Sequence, residues 1–139
     1  MRDITNASGV TIKEYLDSTV GAVFKSATID ADTVTTVDSD NNKYLNKGVV
    51  IARITSPASA SGLVGPYDED ATDGRQLDGN ILGINDTFAD LSNGDVEVGY
   101  LTHGVVKESK IVMGSKDGDL PDSYKSLLRT ATMDITFNE

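Results

Sequence analysis

His103, in Tyr100-Leu101-Thr102-His103-Gly104, is the chain's single histidine and the one side chain whose ordinary pKa suits it to general-base work near neutral pH. A catalytic triad would also need a nucleophile on a strained elbow and a third group to orient the ring. Neither a Gly-x-Ser-x-Gly turn nor a second histidine accompanies it, so His103 reads as a strand-end imidazole with a local hydrogen bond. Asp38, Asp40 and Asn42 match the first ligands of a calcium loop. That loop needs glycine at its sixth place and a bidentate glutamate at its twelfth, where this chain has Lys43 and Val49. Asp117-Gly118-Asp119 fails in the same way, with Leu128 at the twelfth place. The acidic run Asp68, Glu69, Asp70, Asp73 could gather a hard cation, but such a run is ordinarily a solvated face. No glycine-rich phosphate loop precedes a helix, and the chain has no cysteine for thiolate, disulfide or zinc-finger chemistry. These residues predict a protein that is not an enzyme and carries no cofactor and no metal.

Composition narrows the partners. The chain has 139 residues, with 12 basic and 22 acidic side chains and a net charge of −10. That is the wrong sign for holding phosphate backbones by counterion release, so nucleic acid is not an expected partner. Nor is a membrane: no stretch approaches the apolar length of a bilayer span, and the amino terminus lacks the pattern of a secretory signal. With 38% apolar residues the chain can bury one core, and with no disulfide to draw on, stability must come from packing, with oligomerisation as an open further source.

The local patterns predict a mainly-β (α+β) fold. Residues 1–46 read as an amino-terminal arm, rich in Thr, Asp, Asn and Ser. Thr11-Ile12-Lys13-Glu14 fits a capping box with Ile12, Tyr15, Leu16 and Val20 on one helical face, although Val10, Ile12 and Leu16 also nearly alternate as in a strand. Ala27 to Val37 suits a half-exposed strand. Residues 47–139 read as the body. Its strands are Gly48 to Thr55, Asn80 to Ile84, Val96 to Tyr100, Val105-Val106, Ile111 to Met113 and Met133 to Phe137, with a long surface loop from Tyr67 to Gly79. Pro121 opens one short late helix with Tyr124, Leu127 and Leu128 as its apolar stripe.

The order of pieces along the body resembles a family, the head decoration (capsid cement) proteins of tailed bacteriophages typified by the lambda decoration protein. The resemblance rests on Gly48-Val49-Val50-Ile51-Ala52-Arg53-Ile54-Thr55, then Gly65-Pro66-Tyr67-Asp68 with Ala71-Thr72-Asp73-Gly74-Arg75-Gln76, then Ile81-Leu82-Gly83-Ile84. A Gly-Asp turn, His103-Gly104-Val105-Val106-Lys107-Glu108, and the late helix with its closing strand follow in the same order. It covers about two-thirds of the chain, from Lys47 to Phe137.

The resemblance implies a β-clip-like body that forms homotrimers and binds the major capsid protein at three-fold positions on the outside of the expanded capsid, stabilising it against internal DNA pressure. It places the protein on the virion surface, and in the host cytoplasm during assembly. In such proteins the amino-terminal arm orders on the capsid; here the arm is longer than the family's. Ile4, Val10, Ile12, Tyr15 and Leu16 are the expected capsid-binding residues, although the same pattern suits packing on the arm's own body. Pro66, Tyr67, Asp68, Asp73 and Arg75 form the family-motif loop and are the expected subunit contacts. An alternative reading is a virion-surface module that recognises a host glycan or receptor through exposed Tyr67, Asp68 and Asp73.

Overall fold

The computed structural model describes residues 4–5 and 10–138; residues 1–3 and 6–9, within the expected arm, and Glu139 lie outside them. The chain is mainly β with one short late α-helix. Its strands are β1 (Ile4–Thr5), β2 (Thr11–Ile12), β3 (Leu16–Ile29), β4 (Tyr44–Leu45), β5 (Val50–Arg53), β6 (Val64–Pro66) and β7 (Ile81–Asn85). After these come β8 (Ala89–Asp90), β9 (Val96–Lys107), β10 (Val112–Met113), β11 (Lys116–Asp117), the helix α1 (Asp122–Ser126) and β12 (Asp134–Asn138).

Six strands form the main sheet in the order β12-β9-β3-β6-β5-β7, and β7 pairs back onto β9 through Ile84 opposite Leu101 and Asn85 opposite Tyr100. Five strands therefore close into a ring, with β12 lying parallel on β9 beside it. Closure leaves fewer strand edges to attract stray pairing. The period-2 alternation of β5 explains its near-continuous apolar sequence. Val50 and Ala52 enter one core with Tyr15, Leu101, Val106 and Ile135, while Ile51 enters a second with Ile29, Val34, Val64 and Val98.

The amino-terminal third departs most from its sequence reading. Thr11 does not cap a helix: Thr11 and Ile12 pair antiparallel with β1, and β3 begins at Leu16. Extended structure prevails because Thr11 and Ile12 pair with β1 and, from Leu16, β9 offers a long partner strand, a non-local gain that a short amphipathic helix could not match. The strand expected from Ala27 ends at Ile29, where Asp30 accepts a hydrogen bond from the Asp32 N–H and starts a 3-10 turn over Ala31–Thr33. The described part of this third packs into the body. β3 is hydrogen-bonded between β9 and β6, and Ile29, Val34 and Leu45 are buried. One irregularity stands out: Ser18 faces Val105 and Val23 faces His103, so Thr19 to Ala22 bulge out opposite Gly104 alone. The bulge leaves Val20 83% exposed, with Val23 and Phe24 exposed beside it.

The late helix is shorter than its apolar stripe, with Leu128 buried just beyond its end. It is tied down by Glu108, whose nearly buried carboxylate accepts from the Lys125 ammonium at 2.8 Å and from the Leu120 N–H at 3.1 Å. The Lys125 bond first, and the Leu120 N–H second, hold the Glu108 carboxyl below its ordinary value.

Candidate functional site

β6 delivers the chain into the motif loop, which is built rather than merely solvated. Tyr67 donates its N–H to Val50 O at 2.8 Å, so the loop leaves directly from β5. Asp68 accepts the Asp70 N–H at 2.9 Å and closes a tight turn. Arg75 then staples the loop's two ends. Its Nε lies 3.1 and 3.0 Å from the two Asp73 carboxylate oxygens, and its Nη1 donates to Pro66 O at 2.9 Å. Asp73 O in turn accepts from the Thr55 and Ser56 N–H groups, pinning the loop beyond the end of β5.

Glu69 is the loop's second anchor. Its carboxylate accepts from the Ser115 N–H at 3.0 Å, from the Ser115 hydroxyl at 2.8 Å and from the Tyr124 hydroxyl. A side chain at Gly114 would place a Cβ 2.2 Å from the same carboxylate, so glycine leaves the space that Glu69 fills. Partial burial alone would raise the Glu69 pKa, but the bonds from Tyr124, its own backbone and Ser115 outweigh it and bring the carboxyl down to about 2. The reciprocal effect pushes Tyr124 up to about 12, chiefly through the bond to Glu69. The Tyr67 ring meets the Tyr124 ring edge-on, 6.3 Å between centroids and 88° between planes. Burial, followed by the charges of Asp78, Glu69 and Asp68, raises the Tyr67 pKa.

Between this loop and residues Thr33 to Thr36 runs a groove of about 330 Å³, floored by Val34, Leu45 and Val49 and rimmed by Asp68, Glu69, Asp70 and Ser115. Its rim offers acceptors and hydroxyls, with the Ser115 hydroxyl committed to the Glu69 carboxylate. Among the described residues no group of three or more His, Cys, Asp or Glu side chains could hold a metal ion. His103 lies on the other side of the motif strands in sequence, half-buried on β9, with its Nδ1 2.9 Å from the Thr102 hydroxyl.

The structure brings Pro66, Tyr67, Asp68 and Arg75 to one groove and ties Asp73 to Arg75 behind it. Tyr67 is only 6% exposed, which corrects the expectation that it stands out as a platform for a sugar ring. The expected capsid-binding residues are divided. Ile4 pairs with Ile12 across the β1–β2 ribbon, the Ile4 side chain lying outside the described part; Ile12 is half-buried and Val10 buried. Tyr15 and Leu16, at 1% and 6% exposed, are core residues and cannot fill pockets on a partner while this fold is intact. Burial, together with the hydroxyl bond to Asp86, raises the Tyr15 pKa. The Glu69–Ser115–Tyr124 cluster had no counterpart in the sequence reading, where Glu69 was one member of an acidic run.

No protein-family model matches the chain, and no curated protein matches it significantly.

The Arg75 staple makes a direct prediction. Arg75→Ala removes both the Asp73 pair and the bond to Pro66 O, and hydrogen exchange of the amides from Asp68 to Gly74 should accelerate about tenfold while those of β9 stay unchanged. Unaltered loop exchange would show that the Thr55 and Ser56 bonds to Asp73 O suffice to hold it.

Proposed function

We propose that the chain is a non-enzymatic structural protein of a phage virion, which binds the outside of the expanded capsid as trimers at three-fold positions and stabilises it against internal DNA pressure. The observation that carries this reading is the ordered set of family-like segments and where they fall. Gly48 to Thr55, Gly65 to Gln76, Ile81 to Ile84 and His103 to Glu108 supply β5, β6 with its stapled loop, β7 and the end of β9, all neighbours in one closed ring. A body of that kind suits a cement, which must transmit load without changing shape. A second support is the apolar bulge. Val20, Val23 and Phe24 stand in water on one strand, the kind of patch that a partner surface covers.

The mechanism is multivalent. A trimer seated on a three-fold axis touches several capsid subunits at once, so each contact raises the effective concentration of the next, and release needs several to fail together. Modest contacts then give tight retention. The β1–β2 ribbon and the bulge are the contact elements of this reading; Tyr15 and Leu16 serve instead to anchor the ribbon to the core.

The test is sedimentation with the expanded and unexpanded heads of its parent particle. The protein should pellet with expanded heads and raise the temperature at which they release DNA. Absence from the pellet with either form, or an unchanged release temperature, would count decisively against the proposal.

A further inference from the structure

Against 22 acidic side chains in the whole molecule, Lys25 and Arg53 line one hollow, and among the described residues no acid lines it with them. They border a hollow of about 150 Å³ whose walls include Ile81, Leu82, Tyr100 and Thr132 and no carboxylate. Three strands deliver the polar groups. Lys25 on β3 lies directly opposite Tyr100 on β9, and Arg53 ends β5 next to Ala52, which pairs with Ile81. Among the described residues, the Lys25 and Arg53 side chains make no ion pair or hydrogen bond. Tyr100 is only 8% exposed, and its hydroxyl also has no protein partner among the described residues. No fully buried side-chain oxygen among them lacks a partner, so this hydroxyl is one of the few atoms of Tyr100 that remain accessible. Tyr100 is thus a firmly held side chain with an accessible polar end, and it lines the same hollow as two cations that lack a protein partner among the described residues.

We propose that this hollow is an oxyanion site, taking a carboxylate or phosphate group between the Lys25 ammonium, the Arg53 guanidinium and the Tyr100 hydroxyl. Two cations gathered without a counterion repel each other, and an anion between them reverses that cost. The guanidinium fork matches two oxygens of either group, and the ammonium and phenol can reach a third. Ile81 and Leu82 keep part of the surroundings apolar, which strengthens the attraction. The net charge of −10 does not forbid this, because charges more than about 8 Å away are largely screened at physiological ionic strength while the adjacent cations act directly. The site does not depend on the capsid reading. Its ligand could be a free anion or the side chain of an acidic residue on a neighbouring protein, and the two are separable.

The full chain is titrated with inorganic phosphate and, separately, with an acetylated, amidated glutamate tripeptide, while NMR follows the signals of Lys25, Arg53 and Tyr100. Saturable shifts at these residues are expected. Lys25→Gln and Arg53→Gln should each weaken binding about tenfold, the double variant should abolish it, Tyr100→Phe should weaken it a few-fold without altering charge, and Lys47→Gln should leave it unchanged. Tighter binding of the tripeptide than of phosphate assigns the site to a protein side chain; the reverse assigns it to a free anion. Shifts that fail to saturate, that spread over all the lysines, or that persist in the double variant would overturn the proposal.

Discussion

Gly83→Ala is expected to destabilise the fold by about 3 kcal/mol or more, lowering the melting temperature by roughly 10 °C. Gly83 sits on β7 where that strand returns to β9 and closes the ring. A Cβ there would lie 2.2 Å from the backbone oxygen of Leu101, 3.1 Å from its carbonyl carbon and 3.0 Å from the Tyr100 ring. Neither backbone atom can rotate away, so the two strands must separate, which threatens the pairing of Ile84 with Leu101 and of Asn85 with Tyr100. The loss reaches further than one pair. Asn85 is fully buried and donates from its side-chain amide to Asn46 O and Thr87 O, both at 2.8 Å, so displacing β7 exposes a satisfied polar network. Gly79→Ala is the matching control: nothing lies within 4 Å of a Cβ there, and the change should be neutral or stabilise by about 0.5 kcal/mol through the unfolded chain. Circular-dichroism melting of both variants checks the pair. Equal melting temperatures would mean that β7 and β9 do not make this close crossing.

The same glycine marks where sequence reading stops. Ile81-Leu82-Gly83-Ile84 and β5 are recognisable as buried strands from their apolar runs, and β12 and the first half of β9 from alternation, because those signals depend only on neighbouring residues. Which strand Gly83 touches depends on Leu101, and no local pattern carries that. The arm failed for a related reason. Residues 11–20 satisfy helical and strand patterns about equally, and the choice was made by β1, which pairs with residues 11–12, and by β9, whose Val105 and Val106 lie far along the chain and pair with Ser18 and Leu16. The motif loop was legible as a loop, from its glycines and aspartates, but its rigidity was not. Glu69 gains its role from Ser115, 46 residues away, and Tyr124, 55 residues away. Tyr67 likewise looked like an exposed loop aromatic until Tyr124 covered it. The Lys25–Arg53 hollow has no sequence signal at all, since its groups come from three separate strands.

Glu69→Gln should cost about 1–2 kcal/mol at neutral pH, and the cost should disappear in acid. The sign follows from the direction of the shift. With the folded carboxyl at about 2 against an ordinary 4.5, the folded state favours the ionised form. Its stabilisation is complete above pH 4.5 and is lost as pH falls toward 2, where wild type and variant should converge. The full linkage value of the shift is discounted because the carboxylate is only partly buried and water screens it. Tyr124 sets the opposite limit. Its folded pKa of about 12 lies above the ordinary 10, so its contribution holds below pH 10 and is lost as pH rises through 12. The contribution of this pair to stability is therefore complete only between about pH 4.5 and 10, and Tyr124→Phe should remove the alkaline part of this dependence while raising the Glu69 pKa toward its ordinary value. Stability measured by urea unfolding at a series of pH values separates these effects from general acid titration, because the other carboxylates are common to wild type and variants and cancel in the difference. A Glu69→Gln cost that stays constant from pH 7 to pH 2 would show that the side chain acts through shape rather than charge, and the anchoring of the motif loop to the end of the chain would then need another source.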